Sequence, residues 1–310
     1  MSASLHVAVL MGGWSAEREV SLTSGRACAA ALERLGHRVS VVDADRALAA
    51  RLAALKPDVV FNALHGRWGE DGCVQGLLEV LGIAYTHSGV AASAVAMDKP
   101  LAKALFAAAG LPLAHGVLVT PRDVYSRDPL PRPYVLKARN EGSSVGVAII
   151  AEGANYPNPI APDVPGPWRD YDQLLAEEFI PGRELSVAVL DGEALGVLEL
   201  RPSRGFYDYD AKYTAGVTAH FMPAPIHQEA YAEAMAIAAA AHRALGCRGV
   251  SRADLRYDDT GGEPGRLVLL EVNTQPGMTP LSIVPEIAAH AGIGFDALVG
   301  RILASSGVAA

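Results

Sequence analysis

The chemistry-bearing residues of this chain gather in one stretch, where Arg252, Asp254, Glu271 and Asn273 stand on two apolar runs at 250–256 and 267–273. A Gly-rich turn at 258–265 separates the runs, so they read as neighbouring strands. Glu271 and Asn273 are two residues apart, as are Arg252 and Asp254, and side chains at that spacing leave the same face of a strand. Three hard oxygen donors then meet at one point beside a guanidinium. Magnesium held together with a nucleotide polyphosphate asks for one or two carboxylates plus phosphate oxygens. A single strand-end acid is ordinarily a solvated residue, but an apolar strand has no packing reason to crowd three oxygen ligands and a guanidinium together. The pattern is that of a metal-phosphate site.

The elements that must position these groups can be read upstream. Residues 6–10, 38–42 and 58–62 are short β-rich runs, and Ala-rich helical patterns at 17–35 and 46–55 lie between them. This alternation predicts βαβ units in a parallel sheet, with ligands beyond the carboxyl ends of the strands. Two of those ends carry polar loops, Met11 to Ser21 and Leu64 to Gly72. The pattern changes near Met97-Asp98-Lys99, where a domain boundary is expected. A helix at 99–109 follows, then strands near 113–119 and 134–137. Asp191-Gly192 between two apolar runs, 185–190 and 194–200, is a strong hairpin signal. Five prolines between 155 and 167 exclude regular structure and mark a surface insertion. A polar loop rich in aromatics, 206–214, precedes a long Ala-rich helix at 229–245.

Composition narrows the function classes. A chain of 310 residues can bury a large core and divides into two or three lobes. A net charge of −8 without a basic block argues against nucleic acid. No stretch of about 18 apolar residues runs without charge, so no membrane span is expected. The first residues lack a basic segment, so no signal peptide is expected, and the odd, widely spaced Cys28, Cys73 and Cys247 read as ordinary thiols of a reducing cytoplasm. Positive charge should instead be local. Lys99 and Lys137 are candidates for phosphate contact, and Lys137 ends an apolar run just before Gly142-Ser143-Ser144-Val145-Gly146, a loop able to wrap backbone N–H groups around phosphate oxygens. It lacks Walker A spacing, and Gly12-Gly13 lacks the dinucleotide fingerprint.

With these residues in view, the chain resembles the D-alanine:D-alanine ligases of the ATP-grasp superfamily from Val7 to about Leu303. The matching blocks run in order: residues 12–21, Leu64-His65-Gly66-Arg67 with Gly69-Glu70-Asp71-Gly72, Met97-Asp98-Lys99, Lys137, residues 141–146, Phe206 to Tyr209 with Lys212-Tyr213, Arg252-Ala253-Asp254, and residues 271–279. The resemblance implies an α/β fold of three domains, 1–98, 99–182 and 183–310, the first with a parallel sheet and the other two forming the ATP grasp. Two Mg²⁺ ions, or Mn²⁺ in their place, would be bridged by Glu271, with Asp254 on one and Asn273 on the other. Glu177, Phe179 and Ile180 would lie against adenine and Glu184 on the ribose. Lys99, Lys137 and Lys212 would contact phosphates beneath Ser143 and Ser144.

The implied reaction is phosphorylation of the first D-alanine by ATP, then attack of the second D-alanine on the acyl phosphate, supplying the dipeptide of peptidoglycan precursors in the cytoplasm. Glu17 would hold the first ammonium with His65 near its carboxylate. Ser282 would hold the second carboxylate. Arg252 and the Gly277 N–H would meet developing charge, and Glu17, Ser143 and Tyr213 would shut the site against water. Lys212-Tyr213 favours a dipeptide over a depsipeptide product, Trp68 departs from the usual residue, and relatives are usually homodimers through the first domain. Two competing readings are an ATP-grasp ligase with another acceptor and a nucleotide-binding regulator without turnover. The first should have lost Glu17 or Tyr213, the second Arg252 or a metal ligand, and all are present.

Overall fold

Alternating β-rich and Ala-rich segments build the first of three sheets. The structure, a computed structural model, describes residues 4–140, 142, 146–153, 168, 171–202 and 218–308. In chain order come β1 (His6–Met11), α1 (Arg18–Arg34), β2 (Arg38–Asp43), α2 (Leu48–Leu55), β3 (Val59–Asn62), α3 (Cys73–Leu81) and β4 (Ala84–Tyr85). The strands pair in parallel in the order β2-β1-β3-β4, as the βαβ pattern predicts. Both faces of β1 are buried, with Val7 and Val9 on one side and Ala8 and Leu10 on the other, which explains its unbroken apolar run.

Next come α4 (Val90–Met97) and α5 (Lys99–Ala108), then β5 (Gly116–Val119), α6 (Pro121–Ser126), β6 (Tyr134–Ala138), β7 (Val147–Ile150) and β8 (Leu174–Glu178). These strands form an antiparallel sheet ordered β5-β8-β6-β7. The strand expected from residue 113 begins only at Gly116. Its upstream residues belong to another sheet: the Pro112 carbonyl accepts the Leu269 N–H at 2.9 Å, and Leu113 bridges Leu269.

The third sheet holds β9 (Arg183–Leu190), β10 (Glu193–Pro202), β11 (Thr218–Phe221), β12 (Val250–Asp258) and β13 (Arg266–Asn273), ordered β11-β10-β9-β12-β13 and antiparallel throughout. Its helices are α7 (Gln228–Ala244), α8 (Ile283–His290) and α9 (Phe295–Ala304). The Asp191-Gly192 hairpin forms with both residues at positive φ, 54° and 84°, the geometry that selects this pair. Among the described residues no single helix is long and apolar enough to cross a membrane.

The layers share their cores. Val7, Val9 and Phe61 of the first sheet pack with Ala188, Leu190 and Leu198 of the third and with Val284 and Ile302 of α8 and α9. Helix α5, which opens the expected second lobe, buries Ala102 and Phe106 against the five-stranded sheet with α7. Ala114, Ile180 and Val268 join the second and third sheets.

Candidate active site

The site is organised by the β12–β13 pair. Arg252 lies opposite Asn273, and Asp254 opposite Glu271. Between Asp254 and Leu255 the register shifts, because β13 carries one extra residue there. That bulge decides where the acids point. Ala253, Leu255 and Tyr257 of β12 face the core together with Leu267 and Leu269 of β13, and after the bulge the core position passes to Val272. In a regular strand Glu271 would share the face of Leu267 and Leu269; the bulge turns it, with Asn273, to the face of Arg252 and Asp254.

Asp254 accepts from three donors: the Ser186 hydroxyl at 2.6 Å, Arg252 Nε at 2.8 Å and Arg252 Nη2 at 2.7 Å. Lys99, at the start of α5, brings its ammonium 3.9 Å from the Glu271 carboxylate. The Asn273 side-chain oxygen accepts the Gln275 N–H at 2.8 Å, which turns the chain toward Gly277.

From the opposite side come loops at the carboxyl ends of β1 and β3. Glu17, buried at the N-terminal end of α1 where the helix dipole favours an anion, sits beside Gly66. Gly66 has φ of +70°, and a Cβ there would stand 2.6 Å from Glu17 Oε2, so the loop requires glycine. The Ser15 hydroxyl donates to the His65 carbonyl at 2.7 Å. Glu70 accepts the Gly66 N–H at 3.0 Å. Glu17, His65, Glu70, Lys99, Gly142, Arg252, Glu271, Asn273 and Gly277 line one cleft that opens to solvent. Ser282 packs against Gly277. A Cβ on Gly277 would come within 2.8 Å of the Ser282 hydroxyl, which accepts the Thr279 N–H at 2.9 Å.

Electrostatics separate the groups. Burial and the nearby Glu17 carboxylate push the Glu70 carboxyl up to about 8, so it stays protonated at neutral pH. Burial holds His65 below the usual histidine range, against the pull of Glu17, so its imidazole is neutral. The cleft therefore places a neutral acid and a neutral imidazole beside Arg252.

The second cluster lies on the central sheet. Lys137 of β6 and Glu177 of β8 pair at 2.5 Å, and Lys103 of α5 also binds Glu177 while donating to the Ala114 carbonyl at 2.8 Å. Burial opposes both charges, yet the two ammoniums hold Glu177 below the ordinary carboxylate range, and Glu177, with Glu271 and Glu184 further off, raises Lys137. Glu184 of β9 faces Arg256 at 3.7 Å. Arg256 also donates to the Ile180 and Gly182 carbonyls, at 3.1 and 2.7 Å. Phe179 is half-buried and Ile180 is packed on Ala114 and Val268. Ser143, Ser144, Lys212 and Tyr213, like the expected insertion at 155–167 and the whole aromatic loop at 206–214, lie outside the described residues.

Among the described residues no group of three or more His, Cys, Asp or Glu converges. Asp254 and Glu271, adjacent across the ladder, with the Asn273 amide, suit a hard cation that takes its remaining ligands from phosphate oxygens rather than a closed protein cage.

Sequence comparison agrees with this geometry. The profile described as D-ala D-ala ligase C-terminus matches residues 105–304, and the one described as D-ala D-ala ligase N-terminus matches residues 47–88. The chain belongs to the D-alanine–D-alanine ligase family. It is 61% identical over 300 residues to the D-alanine–D-alanine ligase of Paramagnetospirillum magneticum, covering 96% of each chain. The ligase of Erythrobacter litoralis is 57% identical over 303 residues, 98% of this chain and 94% of the relative. Among solved structures, the D-alanine–D-alanine ligase of Bacillus anthracis complexed with ATP superposes with a TM-score of 0.79 at 28% identity, over 98% of this chain and 97% of that one. The enzyme of Coxiella burnetii gives 0.80 at 26% identity, over 98% and 94%.

Two residues of this ligase's site escaped the sequence reading. Glu70 stood in a matching block without a role; its neighbours Gly69 and Gly72 marked the loop, but nothing local announced that it would be buried beside Glu17. Lys103 belongs to no motif, and its only signal is that it lies four residues after Lys99, on the same helix face.

Proposed function

We propose that the cleft joins two D-alanine molecules by the family's ATP-dependent reaction, with the residue roles that follow. The observation that carries the proposal is the meeting of Arg252, Glu271, Asn273 and Gly277 from the third sheet with Glu17, His65 and Glu70 from the first, and Lys99 between them. A carboxylate is a poor acyl donor because its leaving group would be oxide. In the first step an oxygen of the D-alanine carboxylate attacks the γ-phosphorus of ATP, the bond to the β-phosphate oxygen breaks, and ADP leaves. In the second, the amine of the other D-alanine attacks the activated carbonyl carbon, and inorganic phosphate leaves.

Phosphoryl transfer needs alignment and charge neutralisation. Glu17 holds the ammonium of the first substrate, with neutral His65 beside its carboxylate. Lys99 and Lys137, with Lys212, neutralise phosphate oxygens beneath Ser143 and Ser144. Arg252 meets charge that develops in both steps, the Gly277 N–H meets the oxyanion of the second, and Ser282 binds the second carboxylate. Glu177, Phe179 and Ile180 receive adenine, and Glu184 the ribose. Glu17, Ser143 and Tyr213 close the site to water, which would hydrolyse the acyl phosphate. Asp254, Glu271 and Asn273 would hold two Mg²⁺ or Mn²⁺ ions, which supply charge neutralisation at the transferred phosphoryl group when bound. The three sheets support lobes 1–98, 99–182 and 183–310, with α5 fastened to the third. The same reading places the enzyme in the cytoplasm as a homodimer through its first lobe.

The test is phosphate release by the purified protein with Mg-ATP and D-alanine, L-alanine, or D-alanine plus D-lactate, with products identified by mass. Release with D-alanine alone, matched by one D-alanyl-D-alanine per phosphate, is expected. A protein that binds ATP but forms no dipeptide would overturn the assignment.

A further inference from the structure

Two side-chain amides bridge the first and third sheets with every polar atom engaged. Asn62, the last residue of β3, is wholly buried, and Gln275 is 1% exposed. Asn62 Nδ2 donates to Gln275 Oε1 at 2.8 Å and to the Gly69 carbonyl at 2.9 Å, while its Oδ1 accepts the Leu64 N–H at 3.2 Å. Gln275 Nε2 donates to the Leu64 carbonyl. The His65 ring Nε2 lies 3.2 Å from the Ser24 hydroxyl, and that hydroxyl accepts the Met278 N–H at 3.2 Å. The bonds form a closed ring around the loop that carries His65 and Glu70 and the turn that carries Asn273 and Gly277.

We propose that Asn62 and Gln275 are positioning residues for the ligation: the amide pair fixes the His65–Glu70 loop against the Asn273–Gly277 turn, so that the first substrate's carboxylate and the oxyanion donor keep one spacing. This rests on the functional reading above. The two loops follow strands of different sheets; β3 belongs to the parallel sheet and β13 to the five-stranded antiparallel one. Apolar contact between the layers is non-directional and permits sliding, whereas two amides with matched donors and acceptors accept one register. A misplacement of an ångström at such a site is enough to cost about a hundredfold in rate. The nucleotide cluster at Lys137 and Glu177 lies on another sheet and shares no bond with the ring.

The experiment compares wild-type protein with Gln275→Leu, Asn62→Leu and the Asn62→Leu/Gln275→Met double variant, each assayed well below its Tm. In Gln275→Leu the KM for D-alanine should rise about tenfold or more and the phosphate released per dipeptide should increase, while the Kd for ATP stays within about twofold. The double variant removes the polar mismatch between the two side chains but leaves the Leu64 N–H and carbonyl without their partners, so whatever thermal stability it regains relative to the single ones should come without the wild-type KM or phosphate-to-dipeptide ratio. A purely structural role predicts instead that KM and ratio recover with Tm, or that ATP and D-alanine binding weaken together; either result overturns the proposal, as do folded variants with wild-type kinetics. If the wild-type protein makes no dipeptide, the functional reading fails separately. The link is then judged by amide exchange at Gly66 and Gly69, which must quicken in Gln275→Leu; unchanged exchange overturns it.

Discussion

The Arg252 guanidinium donates in a two-pronged fork to the Asp254 carboxylate two residues along the same strand, Nη2 2.7 Å from Oδ2 and Nε 2.8 Å from Oδ1. A residue proposed to meet transition-state charge is thus held by a residue proposed to bind metal. On that proposal a cation at Asp254 would compete with the guanidinium for the same carboxylate oxygens. Replacing Arg252 with Ala should lower kcat by about a hundredfold or more while the ATP dissociation constant, measured at equilibrium, changes only a few-fold. Arg252→Lys should not restore turnover, since an ammonium cannot reproduce the planar fork. Full activity in either variant would remove the assigned role.

Glu70 gives a pH signature. In the folded protein its carboxyl is pushed up to about 8 by burial and by Glu17, against an ordinary value of 4.5. The native state keeps a proton that the unfolded chain has lost, so this contribution to stability is complete below the ordinary value and vanishes as pH rises through about 8. Glu70→Gln keeps a neutral group at every pH. Its Tm relative to wild type should therefore climb from about pH 5 to about pH 8, read by thermal melts across a buffer series; a flat difference would refute the raised pKa.

Glu177 neutralises two largely buried ammoniums, Lys103 and Lys137. Glu177→Gln strips both of their counter-charge and should cost about 3–5 kcal/mol in urea unfolding. Lys103→Met leaves Lys137 to balance the carboxylate and should cost less. The opposite order would show that the carboxylate is not the hub of the cluster.

Phe106 is fully buried on α5 against the five-stranded sheet, while Leu105 beside it is 42% exposed. Phe106→Ala should destabilise by about 3–5 kcal/mol and Leu105→Ala by well under half of that. Equal shifts in the denaturation midpoints would argue that α5 is not anchored there.

Much of the architecture is local in origin and was therefore legible. The parallel sheet follows from β-rich runs alternating with Ala-rich helices, and the β9–β10 hairpin from Asp191-Gly192, whose positive φ values few other pairs tolerate. The two-residue spacing of Arg252 with Asp254 placed both on one face, as found. The strand expected at 113 fails for a non-local reason: Pro112 and Leu113 are taken by Leu269 of another sheet.

By itself the sequence determined the order of elements, the identity of the acids, lysines and glycines in the loops, and the family, because these depend on residue type and short spacing. Tertiary structure alone decided that Glu271 faces the cleft, since a bulge reverses the parity of β13 after Leu269. It also decided that Glu70 carries a proton, that Lys103 completes the charge of Glu177, and that Asn62 reaches Gln275 across 213 residues. Each of these arises from desolvation or from contact between distant segments, and such quantities come into being only when the chain has folded.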